Sequence, residues 1–456
     1  MRPEHAVTAH FKDEALDRLA AYGNVAQFVS FDPHLNPRFS RIVHRPPNEC
    51  LEVALAVRSL ILASPEGKVN VRSFKPNNLQ GNEFIYGLSD AQAVVDQVRH
   101  LASLGFFVIV NETVDVNDGG VSGVAQGSVI EFAPGGTPRV VDNARPASLR
   151  LTTGLAVLKS VYGFEPELGF PPRFRVEFSV HPVKRGWTKT HTIIWELQEL
   201  DYGMLLPTPR WPNDFSEFVG DKVFGLLVSH GEGYYVPRTT VLSRHLAPFS
   251  FGQHTGTDVK WIRTCPKIPI PGRFSTVRGW TDPFKLLATE DPGGTEIPSV
   301  LVQDEVNPQY SGALLTDMGG EAIIEGIAGR GDALMLGGAP PIALPDALRV
   351  RLKQLHDCLW RDFGGIRVEW VFDGEQIWIV QLQQEAAKSA GTVIVDGDFT
   401  DEITFKAEDG LEQLRTLTAR LRGKMTAIKL VGNIGMTSHM ADVLRRTHIP
   451  SRLVRH

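Results

Sequence analysis

The chain has 456 residues, 42% of them apolar and 22% charged, and a formal net charge of −5. That is an ordinary balance for folded globular protein, and the length suits two to four domains at roughly 100–200 residues each. The mild acidity and the lack of a long basic run argue against nucleic acid or an anionic membrane surface as a partner.

Cys50, Cys265 and Cys358 lie far apart with no metal-binding spacing, so buried free thiols in a reducing compartment are expected. Met1 to Asp13 contains no signal-like apolar segment, and nowhere do 18 apolar residues run together. The expected location is cytoplasmic.

In chain order, Ala15 to Ala21 reads as a short amphipathic helix, followed by a loop rich in Pro, Asn and Arg. Cys50 to Ala63 predicts a helix that is apolar on most faces and therefore buried. Lys68 to Arg72 reads as a strand entering Ser73-Phe74-Lys75-Pro76. From Asp90 to Leu104, Ala91, Val94, Val95, Val98 and Leu101 recur at helical spacing. Phe106 to Asn111 is a buried-type strand, and a strand pair flanks Pro134-Gly135-Gly136. The class is mixed α and β.

The chain also repeats itself. Arg175-Val176-Glu177-Phe178-Ser179-Val180, then Thr192 to Gln198, returns as Arg367-Val368-Glu369-Trp370-Val371-Phe372, then Ile377 to Gln383. Val108 to Glu112 with Val121 to Val124 parallels Val300 to Asp304 with Tyr310 to Ala313. Val71-Arg72-Ser73 parallels Val277-Arg278-Gly279. Matched blocks in one order indicate a tandem duplication. Its seam falls near Leu206 to Asn213, where Pro207, Pro209 and Pro212 mark a linker. Only the second copy carries Phe218-Val219-Gly220-Asp221-Lys222.

The second copy has the residue types that phosphoryl transfer needs. Lys222, after a glycine turn, can reach a phosphate as a point charge, and Arg278 at a strand end can grip one bidentately. Gln303 ends an apolar strand where an adenine edge can be read. Glu325 opens the Gly-rich segment to Gly338, in which acid and base are interleaved. Glu369 and Gln381 lie on two strands of one hairpin, and two oxygen ligands plus phosphate oxygens are what Mg²⁺ accepts.

Near the end, Gly432-Asn433-Ile434-Gly435-Met436-Thr437-Ser438-His439 leads into an apolar-periodic run that Pro450 stops. His439 is expected in the first turn of a helix, at an exposed loop mouth, with free backbone N–H groups available to an anion.

These blocks, in this order, resemble the ATP-grasp nucleotide-binding region of the phosphoenolpyruvate synthase and pyruvate phosphate dikinase family. The Gly435-Met436-Thr437-Ser438-His439 block through Ile449-Pro450 resembles that family's swivelling phosphohistidine domain. The resemblance covers residues 214–456 directly and 50–205 through the repeat. It implies a fold of tandem ATP-grasp-like halves, residues 1–205 (degenerate) and 206–388 (nucleotide-binding), followed by a small swivelling domain, 389–456.

It also implies ATP and Mg²⁺ as cofactors. Lys222 and Arg278 would hold phosphates, with Gln303 and Glu325 also placed at the nucleotide. Glu369 and Gln381 would ligate the metal, and His439 would carry a phosphoryl group from ATP to an acceptor, with release of AMP and phosphate. The sequence departs from the family in three places: Leu382-Gln383-Gln384 replaces an Arg-Pro pair, Gly329-Arg330-Gly331-Asp332 ends in aspartate rather than glutamate, and Asp221 replaces a second glycine.

The resemblance includes no counterpart of the family's pyruvate-binding barrel, and pyruvate is not the expected acceptor. The expected acceptor is therefore a small molecule held between the domains, or a separate acceptor protein. The alternatives are a nucleotide-binding regulatory subunit without catalysis, or an ADP-forming ATP-grasp ligase.

Overall fold

The structure is a computed structural model and describes residues 15–75, 78–138, 140–143, 145–183, 191–200, 206–268, 273–385 and 388–455. Met1 to Asp13, Pro76 and the 205 boundary lie outside the described residues. The chain forms two units, Met1–Pro207 and Thr208–His456, and the fold is mixed α and β. Among the described residues, no helix is long and apolar enough to cross a membrane.

In the first unit, five strands lie in the order Pro37–Arg41, Phe28–Phe31, Phe107–Glu112, Val69–Lys75, Asn78–Leu88. Helix Ala91–Ser103 follows its apolar stripe: Val94, Val95, Val98 and Leu101 are buried, and the Asp90 side chain accepts from the Gln92 and Ala93 N–H groups to cap it. Helix Val53–Ala63 buries Val53, Ala56, Val57 and Leu60 in the same core. Its expected all-round burial is corrected, because Leu55 and Leu62 are exposed on its outer face. A second sheet runs Asn24–Val25, Thr192–Glu199, Phe174–Val180, Val121–Gln126, Val129–Pro134, Ala147–Arg150.

The second unit repeats both sheets. The first runs Phe249–Phe251, Thr239–Ser243, Ser299–Asp304, Lys260–Cys265, Thr276–Arg278. The second runs Ala322–Ala328, Tyr310–Thr316, Ile366–Phe372, Ile377–Gln384. The repeat extends to register. Glu131, Val124, Glu177 and Glu196 pair in one row across four strands of the first unit. Glu325, Ala313, Glu369 and Gln381 pair in the matching row of the second. Each row is followed by the same slip, at Glu177/Phe178 and at Glu369/Trp370.

One sequence match is corrected by this register. Val71 pairs with Val110 and Arg72 with Ile109, while Ile262 pairs with Val302 and Arg263 with Leu301. The counterpart of Arg72 is therefore Arg263. Arg278 lies one strand further out, on the edge, opposite Trp261. A short run such as Val-Arg recurs easily along a pleat, whereas register is fixed by every pair in the ladder.

The last part of the second unit has its own four-stranded sheet, Val393–Val395, Ser451–Val454, Thr426–Val431, Asp401–Lys406, the last three parallel. Helices Leu411–Leu421 and His439–Thr447 cover a core that includes Ile394, Leu414, Ile428, Leu430 and Leu444.

Candidate active site

Gly220 separates helix Asp214–Val219 from helix Asp221–Gly231, which places Lys222 in the first turn of the second helix. This helix lies against strand Ile377–Gln384 so closely that a Cβ on Gly225 would stand 1.9 Å from the Leu382 carbonyl oxygen. The Lys222 Nζ donates to the Thr264 carbonyl at 3.3 Å. Burial, aided by Arg263, lowers the Lys222 pKa, so an anion arriving there would relieve the cost of its charge.

A cavity of about 540 Å³ opens beside it. Cationic side chains on its wall are Lys222, Arg263, Arg278, Arg367 and Arg446; acids are Asp332, Glu369 and Asp442. Gln381 and His439 share the same wall. Glu369 and Gln381 are direct cross-strand partners, as one-face placement requires. A narrower cavity of about 90 Å³ adjoins, lined in part by Trp261, Gln303, Glu305, Val306, Asp332 and Glu369. Arg263, Asp332 and Glu369 line both, so the two spaces form one site with a cationic, oxygen-rich middle. Asp332, Glu369 and Gln381 are hard oxygen donors of the kind Mg²⁺ takes beside phosphate. Among the described residues no cluster of three or more His, Cys, Asp or Glu side chains has the closeness of a self-sufficient metal cage.

His439 begins helix His439–Thr447, which Ser438 caps by accepting from the Ala441 N–H. The expected position in the first turn is therefore present, while the expected exposure is not. The ring is half-buried on the cavity wall, and burial, reinforced by Arg367, lowers its pKa against the opposing pull of Glu369 and Asp442. One of the loop N–H groups expected to be free for an anion is engaged. The Thr437 N–H donates to Glu325 Oε2 at 2.8 Å, so a side chain of the neighbouring sheet already occupies that position. Asp442, one turn after His439, lies 3.0 Å from Arg367 Nη1 and 3.2 Å from Arg446 Nε. Burial tends to raise this carboxyl, but Arg367, Arg446 and Arg445 outweigh it and hold it well below the usual carboxylate range.

Of the residues singled out in the sequence, Lys222, Arg278, Glu369, Gln381 and His439 meet at the wide cavity. Arg278 is gripped by Glu305 through two bonds of 2.7 and 2.9 Å, so a phosphate would have to share it. Gln303 lines the narrow cavity with its side-chain amide turned to Thr239 Oγ1 at 3.3 Å. Glu325 does not reach the cavity with the others; its carboxylate is engaged by Thr437 and Arg455.

Arg263 and Arg367 escaped the sequence reading. Both lie inside strands, Lys260–Cys265 and Ile366–Phe372, where an arginine ordinarily points to solvent. In each the Nε atom is buried without a hydrogen-bond partner, although the side chain reaches the cavity. The signal was present in the repeat: Arg367 opens the matched block Arg367-Val368-Glu369.

No family model and no curated protein sequence matches the chain. Among solved structures it is similar to D-alanine–D-alanine ligase from Bacillus anthracis complexed with ATP, at 11% identity over 37% of this chain and 54% of that one, with a TM-score of 0.24. It is similar to D-cycloserine synthetase DcsG at 15% identity over 44% and 65%, with a TM-score of 0.24. It is similar to macrocyclase MdnB from Microcystis aeruginosa at 16% identity over 39% and 55%, with a TM-score of 0.23. The match thus spans between half and two thirds of the length of these proteins.

Proposed function

We propose that this chain is an ATP- and Mg²⁺-dependent phosphoryl-transfer enzyme of ATP-grasp type, and that His439 receives the phosphoryl group. The observation that carries the reading is the shared wall: His439, Lys222, Arg367, Glu369 and Gln381 line one cavity. The nucleoside end of ATP would take the narrow cavity by Gln303 and Val306, and the triphosphate would lie among Lys222, Arg263 and Arg367. Preorganised cations around a buried transfer path are the main catalytic resource for phosphoryl groups. Asp332, Glu369 and Gln381 would hold Mg²⁺, which supplies charge neutralisation on the phosphate oxygens when bound.

His439 is suited to its role because a lowered pKa keeps the imidazole neutral and nucleophilic at physiological pH. In balance, a His439 ring nitrogen bonds to the β-phosphorus as AMP leaves, water releases the terminal group as inorganic phosphate, and the acceptor takes the phosphoryl group that remains, so that ATP, water and acceptor give AMP, inorganic phosphate and phosphorylated acceptor. Phosphorus NMR of turnover against an acceptor panel tests this: AMP and an acid-labile phosphate on His439 are expected.

A second reading is a ligase that forms an acyl phosphate and releases ADP. The cavity of about 540 Å³ favours it, since it has room for an acid substrate beside a triphosphate. Of the solved proteins named above, one is a ligase complexed with ATP, one a synthetase and one a macrocyclase. ADP as the nucleotide product, with turnover surviving His439→Ala, would select this reading. ATP binding without turnover would select the regulatory-subunit reading.

A further inference from the structure

We infer that Glu325 is a positioning residue that latches the Gly435–Ser438 loop onto the four-stranded sheet and so sets the placement of His439 in the cavity. The inference rests on the phosphohistidine reading for its functional consequence. The contacts themselves stand apart from that reading.

Thr437 is fully buried and is held from two sides by opposite charges. Its N–H and its hydroxyl donate to Glu325 Oε2 at 2.8 and 2.9 Å. Its carbonyl accepts from Arg367 Nη2 at 2.9 Å. Glu325 comes from strand Ala322–Ala328 and Arg367 from strand Ile366–Phe372, so one sheet grips both polar ends of a single peptide residue. Charge-assisted bonds of this kind are about twice as strong as neutral ones. The other carboxylate oxygen, Oε1, accepts from Arg455 Nη2 at 2.7 Å, and Arg455 Nε donates to the Ile434 carbonyl at 3.2 Å. The loop is thereby tied at Ile434 and at Thr437, two residues before His439.

The fit leaves no slack. A Cβ on Gly435 would stand 2.4 Å from Glu325 Oε2, so a larger residue there would push the carboxylate away from its present place against Thr437. Glu325 also occupies the register row of Glu369 and Gln381. The same strand row thus supplies the proposed metal ligands at one end and the loop latch at the other. If either moved, both sides of the transfer geometry would move, and an error of about 1 Å in such alignment costs roughly 100-fold in rate.

The test is Glu325→Gln in the full chain, with Arg455→Ala as a milder second variant should the first fold poorly. Three quantities are read: Mg-ATP affinity, the rate of His439 phosphorylation at saturating Mg-ATP, and amide hydrogen exchange of residues 434–441. The expected result is affinity within twofold of wild type, labelling at least tenfold slower, and exchange at 434–441 at least tenfold faster while strands Thr426–Val431 and Ser451–Val454 stay protected. Unchanged exchange at 434–441 in both variants overturns the latch. A fall in affinity equal to the fall in labelling also overturns it, by making Glu325 a nucleotide ligand. If wild-type protein takes no label but exchange responds as expected, the phosphohistidine reading fails and the latch stands.

Discussion

Glu369 and Gln381 face each other across one hairpin, one pair before its register slips. Their counterparts Glu177 and Glu196 hold the same place in the first unit, before the same slip. The difference is one of charge. Two carboxylates oppose each other in the first unit, and burial followed by Glu196 raises the Glu177 pKa. In the second unit the amide removes that repulsion and leaves one full charge for a cation. Glu369→Gln is expected to lower Mg²⁺-dependent turnover about 100-fold, the upper end of what even indirect metal-site changes cost. Glu177→Gln is expected to leave turnover unchanged and to raise the thermal midpoint at pH 7. Nucleotide turnover of both variants across a Mg²⁺ titration checks the pair.

The pH dependence of His439 labelling carries a sign. Burial, then Arg367, lowers this pKa, so the neutral imidazole persists further into acid than an ordinary histidine. Labelling at saturating Mg-ATP should therefore be flat from pH 8 down to the usual histidine value of 6.5 and should fall only below it. A midpoint at or above that value would contradict the proposed environment. His439→Ala should take no label at any pH.

Much of this site was legible because the chain states it twice. The two strand blocks with a short turn between them put Glu369 and Gln381 on one face of a hairpin, although their direct pairing depends on the register slip beside them. His439 could be placed in a first turn because helix starts announce themselves in sequence. What could not be read was partner choice across sheets. Nothing local distinguishes Arg263, with its Nε buried at the cavity, from Arg278, which is paired with Glu305. Glu325 looked like a nucleotide ligand from its Gly-rich context, whereas its partner Thr437 lies 112 residues away. Contacts at that separation are set by how layers stack, which periodicity does not encode.

Asp221, beside Lys222, offers a stability prediction. It is buried and accepts from Gln383 Nε2 at 2.8 Å. Burial raises its pKa from the ordinary 3.8 to about 6, with the Gln383 bond opposing. A carboxyl whose folded value is raised stabilises the fold fully below its unfolded value, and this contribution disappears as pH rises through the folded value. Between pH 3.8 and about 6 the contribution should fall by roughly 3 kcal/mol. Asp221→Asn keeps an acceptor for Gln383 and cannot ionise. Its melting temperature should exceed wild type at pH 8 and match it below pH 4. An advantage of equal size at both pH values would show that the charge is not the cause.

The last prediction concerns how the lysine helix is seated. A Cβ at position 225 would lie 1.9 Å from the Leu382 carbonyl oxygen and 2.9 Å from its carbon, both backbone atoms of the strand that carries Gln381 and Gln383. Backbone held along its length by pairing to strand Ile366–Phe372 cannot rotate aside as a side chain can, so the helix itself must lift. Overpacking of this kind costs about 1–3 kcal/mol. Because helix Asp221–Gly231 also carries Lys222, the same displacement draws its ammonium away from the cavity. Gly225→Ala is expected to lower stability to urea by that amount and to weaken Mg-ATP binding about tenfold, in protein that still folds. Urea midpoints and nucleotide affinity measured on one preparation check both effects. A loss of stability with full affinity would place Lys222 outside the phosphate site, since a lysine that holds phosphate cannot be moved without cost to binding.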